Sequence, residues 1–217
     1  MKIPLIEHYS PFEFNDLTKL NKGDMKVDLL RAMYSEEIAE EYLNSNNIKV
    51  IEKDNKHTGK FDFKCDDGYS YEIKDESYNY DSGSGNIALE IGKLPYNQYS
   101  LYQLDTIYRN GNYKKSSISI SESDYHIWHI KLQNKKIVLA KIGIARLRWL
   151  IDKRIRFVTT KNPTGNLVSF IALVKIETFL EYCADKCFLD MSHSKWKNDY
   201  IWDKTTALNL LTIKERV

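Results

Sequence analysis

Val27, Leu30, Tyr34, Ile38 and Tyr42 recur at helical spacing, and Leu29, Ala32, Met33, Ala39 and Leu43 form a second apolar stripe. The pattern predicts a helix from about Met25 to Leu43, opened by Asp24, covered on two sides and ended by Asn44-Ser45-Asn46-Asn47. Ile48 to Glu52 alternates as a strand. From Gly59 to Lys74 two alternating runs flank Asp66-Asp67-Gly68, which signals a hairpin. Ser77 to Gly85 reads as a polar loop, Asn86 to Ile91 as a strand, and Leu94 to Tyr113 as either a helix or an inserted loop. Tyr125 to Ile130 and Lys135 to Ile142 are predicted strands, Ile144 to Ile155 a helix, Leu167 to Val174 a strand and Ile176 to Phe188 a helix. Elements in this order make a mixed α/β protein around a central sheet.

Composition narrows this little. At 217 residues, 42% hydrophobic and 29% charged, the chain suits one ordinary globular domain with a buried core. We expect a single domain over residues 1–217, with residues 190–217 a helical tail. The first residues, Met1 to His8, do not read as a signal peptide, and no run reaches membrane-span length. The cysteines number three, an odd count that fits a reducing cytoplasm. A cytoplasmic protein with no membrane partner is the expectation.

Charge distribution says more. The net charge is only +2. Between Lys131 and Lys161, however, basic residues dominate, among them Lys141, Arg146, Arg148, Lys153, Arg154 and Arg156, with Asp152 the acid among them. Acids concentrate earlier, as Glu36-Glu37, Glu40-Glu41, Asp66-Asp67 and Asp75-Glu76. A basic surface beside an acidic centre suits a phosphate backbone, although a solvated basic face would have the same composition.

The hairpin carries the candidate chemistry. Glu72 and Lys74 point to one face of their strand, and Tyr71, Ile73 and Asp75 to the other. Asp62 joins Glu72 only if the hairpin closes through an odd-length loop such as Asp66-Asp67-Gly68, or if a bulge shifts the register. A two-residue Asp67-Gly68 turn would place Phe63 there instead. Asp62 and Glu72, with the Ile73 carbonyl, suit Mg²⁺, or Mn²⁺ in its place, because such hard ions bind through a few oxygens and keep water. The ion acidifies a bound water and screens the scissile phosphate, while Lys74 orients that water or stabilises the transition-state charge. A surface hairpin with an ordinary cross-strand ion pair would share this short motif.

The pattern is wider than the hairpin. Glu36-Glu37-Ile38-Ala39-Glu40-Glu41-Tyr42-Leu43 is followed by Asp62 with Glu72-Ile73-Lys74-Asp75, then by Gly85-Asn86-Ile87-Ala88-Leu89-Glu90, then by Ser116-Ser117-Ile118 leading to Ser123-Asp124-Tyr125. In order and spacing these blocks resemble the PD-(D/E)xK nuclease superfamily, and within it a phage and bacterial nuclease-like branch. Ser117 stands where glycine is usual and Ser123 where alanine is usual. The resemblance implies a restriction-endonuclease-like fold, a mixed central sheet flanked by helices. It makes Asp62, Glu72 and Ile73 the metal ligands, Lys74 the catalytic lysine, and Glu36 and Glu90 accessory acids. The helical wheel alone does not choose between Glu36 and Glu41.

Other groups read as structural. Cys183 and Cys187, four apart on the predicted helix, lack a zinc-site partner set and suit a buried helix face. His126 and His129 fall on opposite faces of their strand, one suited to the core and the other to a surface or substrate contact. The expectation is a Mg²⁺-dependent nuclease cutting DNA, duplex or branched, and a homodimer is plausible because two strands need two sites. A non-catalytic nucleic-acid-binding or defence-related protein and an RNA-cutting enzyme are the alternatives.

Overall fold

The computed structural model describes residues 25–54, 61–76, 83–131, 136–161, 165–190 and 200–201. The expected Asp24 cap, part of the Ser77–Gly85 loop and most of the 190–217 tail lie outside these residues.

Helix α1 runs Met25–Ser45 and is followed by β1 (Val50–Lys53), β2 (Phe63–Cys65), β3 (Ser70–Glu76) and β4 (Asn86–Pro95). Next come α2 (Leu101–Asn110), β5 (Lys114–Lys115), a 3-10 turn at Ser117–Ser119, β6 (Tyr125–Lys131) and β7 (Lys136–Gly143). The remainder is α3 (Ile144–Leu150) with a 3-10 turn at Ile151–Lys153, β8 (Arg156–Thr159), β9 (Leu167–Lys175), α4 (Ile176–Glu181), β10 (Asp185–Asp190) and β11 (Tyr200–Ile201).

The strands form two sheets. A 7-stranded sheet has the order β1-β2-β3-β6-β7-β10-β11, and a 4-stranded sheet the order β5-β4-β9-β8. In the larger sheet β3 and β6 run parallel while the β1–β2, β2–β3, β6–β7, β7–β10 and β10–β11 pairs are antiparallel, so it is mixed. The parallel pair is possible because the chain leaves through β4, α2 and β5 before returning as β6. Mixed α/β architecture with a mixed sheet and flanking helices is thus what the sequence led us to expect; the second sheet is not.

Strand alternation builds the layers. One face of β6 and β7 presents Trp128, Ile130, Val138, Ala140 and Ile142, which share a core with Ile87, Leu89 and Ile91 of β4 and with Val168, Phe170, Ala172 and Val174 of β9. The opposite face of the large sheet buries Tyr71, Ile73, Ile127 and Leu139. Helix α1 lies there and buries Ile38, Ala39, Tyr42 and Leu43. Ser35 fixes its position: its hydroxyl lies 2.8 Å from His129 Nδ1 and donates to Asp75 Oδ1 at 3.2 Å. No described helix is long and apolar enough to cross a membrane.

One open alternative is decided and two elements differ from expectation. Leu94 to Tyr113 contains a true helix, α2, closed by a capping box at Ser100 and Gln103 and by left-handed Gly111 (φ 68°). The predicted Ile176–Phe188 helix stops at Glu181, and Cys187 belongs to β10 opposite Leu139. Cys183 is buried just beyond α4, so the two cysteines do not share a helix face. In the tail, Tyr200–Ile201 is a strand paired with β10 rather than helix.

Candidate active site

The hairpin register decides the site. Phe63 pairs with Tyr71 and Lys64 with Ser70. The Cys65 N–H donates to the Tyr69 carbonyl, so the loop between them is Asp66-Asp67-Gly68, with Gly68 in the left-handed region at φ 83°. This is the bulged hairpin loop that favours glycine at its last position. The ladder ends at the Phe63–Tyr71 pair, and Asp62 lies just beyond it, close enough to Glu72 for the two carboxylates to feel each other's charge. The Asp62 N–H donates to the Tyr71 carbonyl at 2.8 Å. The next ladder position is taken by a side chain: Asp62 Oδ2 accepts from the Ile73 N–H at 2.6 Å. Since a strand residue's N–H and C=O project to the same edge, the Ile73 carbonyl also points toward Asp62.

Glu72 and Lys74 are an ion pair on one face of β3, with side chains 14% and 30% exposed. Further along the same face Glu76 is 5% exposed and accepts from the Ala88 N–H of β4 at 3.2 Å. The polar stripe of β3 therefore runs from a half-open rim at Glu72 into the closed interface between the sheets at Glu76. Burial pushes the Asp62 carboxyl up from 3.8 to about 6, and the negative charge of Glu72 and, more weakly, of Glu36 adds to the effect; the Ile73 amide and Lys74 oppose it. Glu36 thus acts on the cluster from α1, on the turn that Ser35 anchors.

The structure brings together Asp62, Glu72, Lys74 and the Ile73 backbone, with Glu36 at longer range. It places Glu90 differently: that carboxylate accepts from Lys93 Nζ and from Ser116 Oγ, each at 3.1 Å, within the smaller sheet. Among the described residues no group of three or more His, Cys, Asp and Glu side chains is arranged to hold a metal ion. Two carboxylates and backbone oxygen remain a donor set that suits a hydrated hard cation, and the crowding that raises Asp62 is what a cation would relieve.

No protein-family model matches this sequence, and no curated protein does.

His126 is the group that the sequence did not place. It pairs in register with Glu72 across the parallel β3–β6 ladder and so shares its face. Its ring is fully buried, with Nε2 2.9 Å from Ser121 Oγ, and Nδ1 has no hydrogen-bond partner among the described residues. Burial, then Lys74 and Arg148, pull its pKa from 6.5 to about 3, so it is neutral. His129 is equally buried, on the α1 side, so neither histidine is a surface contact. The alternation His126-Ile127-Trp128 shows which face each residue takes, but not that both faces are closed.

The basic run divides in two. Arg148 donates to the Ile118 and Ser121 carbonyls at 3.1 and 2.7 Å, and Arg154 donates to Asp105 at 2.6 Å while stacking on Tyr108 and Phe157. Lys141 lies over the Tyr125 ring, 5.3 Å from its centroid. These hold the protein together. Arg146, Lys153 and Arg156 are exposed.

Proposed function

We propose that this protein is a metal-dependent nuclease that hydrolyses phosphodiester bonds in DNA. The carrying observation is that the hairpin end holds the Asp62 carboxylate on the Ile73 amide, within reach of the Glu72 charge, with Lys74 paired to Glu72 on one face of β3. In this reading Asp62, Glu72 and the Ile73 carbonyl hold Mg²⁺ or Mn²⁺. When bound, the ion supplies an acidified water and charge screening at the phosphate. Glu72 holds the Lys74 ammonium at the rim, where it orients a water or neutralises charge developing on the phosphate oxygens. Glu36 adds negative charge that favours cation binding. The Asp62–Ile73 hydrogen bond fixes the carboxylate, which limits reorganisation during the reaction.

Two details of the chain outside the site favour the PD-(D/E)xK resemblance. Ser117, standing where that family has glycine, is left-handed at φ 48°. Ser123, standing where alanine is usual, is 1% exposed, as a small side chain allows.

Supercoiled plasmid, branched DNA and RNA incubated with Mg²⁺ or with EDTA test the proposal. Cleavage of DNA that needs the metal, and that Asp62→Ala and Lys74→Ala each abolish, is the expected result. Cleavage surviving both substitutions rejects the assignment. Metal-independent binding without cleavage points to a non-catalytic nucleic-acid-binding protein.

A further inference from the structure

Trp149 is left in the open by a helix that buries its neighbours. Leu147 and Leu150 of α3 are fully buried, whereas Trp149 is 41% exposed. Leaving so large an apolar ring in water forgoes a substantial burial gain, so its exposure asks for an explanation. Its surroundings are specific. The Tyr182 ring at the end of α4 meets it edge-on, with centroids 4.9 Å apart and planes at 61°. Lys153 Nζ lies 4.8 Å from the Trp149 centroid, and Arg146 donates weakly to the Tyr182 carbonyl at 3.5 Å. Asp152, the acid within this run, is turned toward the Tyr108 hydroxyl, 3.4 Å away. Glu181, exposed next to Tyr182 in sequence, offsets part of the positive charge.

We infer that Trp149, framed by Tyr182, Arg146 and Lys153, is a stacking platform for an unpaired base of a single-stranded nucleic acid. An arriving base takes the ring by displacing the Lys153 ammonium that lies over it, since every base has a π-face, and Lys153 and Arg146 then hold the phosphates on either side. A duplex keeps its base faces stacked inside and offers this ring little. A protein partner would use Trp, Tyr and Arg as well, but the cations around the ring favour an anionic chain. The helix that carries the platform starts two strands from Glu72. Glu72 pairs with His126 and His126 with Ile142, two strand spacings or about 10 Å of sheet, and α3 begins at Ile144. The inference rests on the nuclease reading for what is cut, but binding is measured apart from cutting.

The experiment is titration of the full chain in EDTA with oligothymidylate and with a duplex of equal length, followed by fluorescence anisotropy and by quenching of intrinsic tryptophan emission. Oligothymidylate should quench the wild-type emission, and Trp149→Phe should remove that quench while keeping most of the affinity. Trp149→Ala should weaken single-strand binding about tenfold or more and duplex binding less than about twofold. Lys153→Glu, an exposed change, keeps the Trp149 ring but replaces the cation over it with an anion, and should weaken single-strand binding at low salt most. If Trp149→Ala does not fold, the Phe and Glu variants decide. Unchanged quenching in Trp149→Phe, or equal losses for single strand and duplex, overturns the platform. Tryptophan-dependent binding with no cleavage on adding Mg²⁺ leaves the platform standing and removes the nuclease reading; no binding of either polymer in EDTA with cleavage on adding Mg²⁺ removes the platform and keeps the nuclease.

Discussion

The Ile73 amide donates to Asp62 Oδ2 at 2.6 Å, replacing a ladder hydrogen bond with a bond to a carboxylate. Asp62 lies at the end of β2, between β1 and β3, and its carboxylate is held there by the backbone of β3. The same carboxylate is crowded by Glu72 and Glu36 and buried, so it carries a cost that its hydrogen bond does not cancel.

That cost makes stability depend on pH. In the unfolded chain Asp62 ionises near 3.8; in the native protein it holds its proton to about 6. Between those values the native state binds more protons, so this group's contribution falls as pH rises, and above about 6 the full cost of roughly 2–3 kcal/mol is present. Asp62→Asn keeps an acceptor for the Ile73 amide and removes the charge. It should raise the unfolding free energy at pH 8 in EDTA while lowering cleavage about a hundredfold or more. Urea unfolding at pH 4 and pH 8 measures the first effect, and a variant no more stable than wild type at pH 8 contradicts the crowding account.

A divalent ion should reverse the same cost. Bound only by the native state, Mg²⁺ stabilises by mass action, about 2.7 kcal/mol at a hundred times its dissociation constant. The melting temperature of the wild type should therefore climb with Mg²⁺ concentration. Asp62→Asn and Glu72→Gln should lose most of that climb. Calorimetric scans with Mg²⁺ and with EDTA read it directly, and equal shifts in all three proteins would place the ion elsewhere.

His126 predicts the opposite pH dependence. Its native pKa is lowered to about 3 from 6.5 by burial and by the charges of Lys74 and Arg148. Its contribution is whole above about 6.5 and is lost as pH falls, because the unfolded chain takes up a proton that the native protein refuses. His126→Gln, which can still hydrogen-bond Ser121, should flatten the loss of stability between pH 6.5 and 5. Denaturant midpoints across that interval test it; an unaltered slope means that another group titrates there.

Ser117 offers a change that should stabilise. At φ 48° a residue with a Cβ is strained by about 1 kcal/mol, and glycine is not. Ser117→Gly should gain about 0.5–1 kcal/mol, the relief of strain exceeding the added freedom of the unfolded chain. A destabilised variant in equilibrium unfolding would show that the serine side chain contributes more than its backbone costs.

The failures of sequence reading share a cause. Ile176 to Phe188 looks helical because Cys183 and Cys187 sit four apart, yet β7 has an edge at Lys141 to Lys136 that the segment from Asp185 to Asp190 completes. Arg156 to Thr159 is hidden in a basic run, although it is strand β8 along the edge of the smaller sheet. Arg148 and Arg154 look like phosphate ligands until the carbonyls of Ile118 and Ser121 and the carboxylate of Asp105 appear beside them. In each case a distant partner overrides a local pattern.

Local chemistry was enough for the rest. The Asp66-Asp67-Gly68 loop limits the hairpin to registers that a short turn can close, and alternation then puts Glu72 and Lys74 on one face, so the candidate site was legible as a set of residues. Helix α1 was legible from its two apolar stripes. What only the tertiary structure decided is where that face lies: at a rim between two sheets, with Glu36 brought in by the Ser35–Asp75–His129 contact and His126 closed off behind. Pairings between segments far apart in the chain determine burial, and burial sets the charge state of Asp62 and His126, which no reading of neighbouring residues supplies.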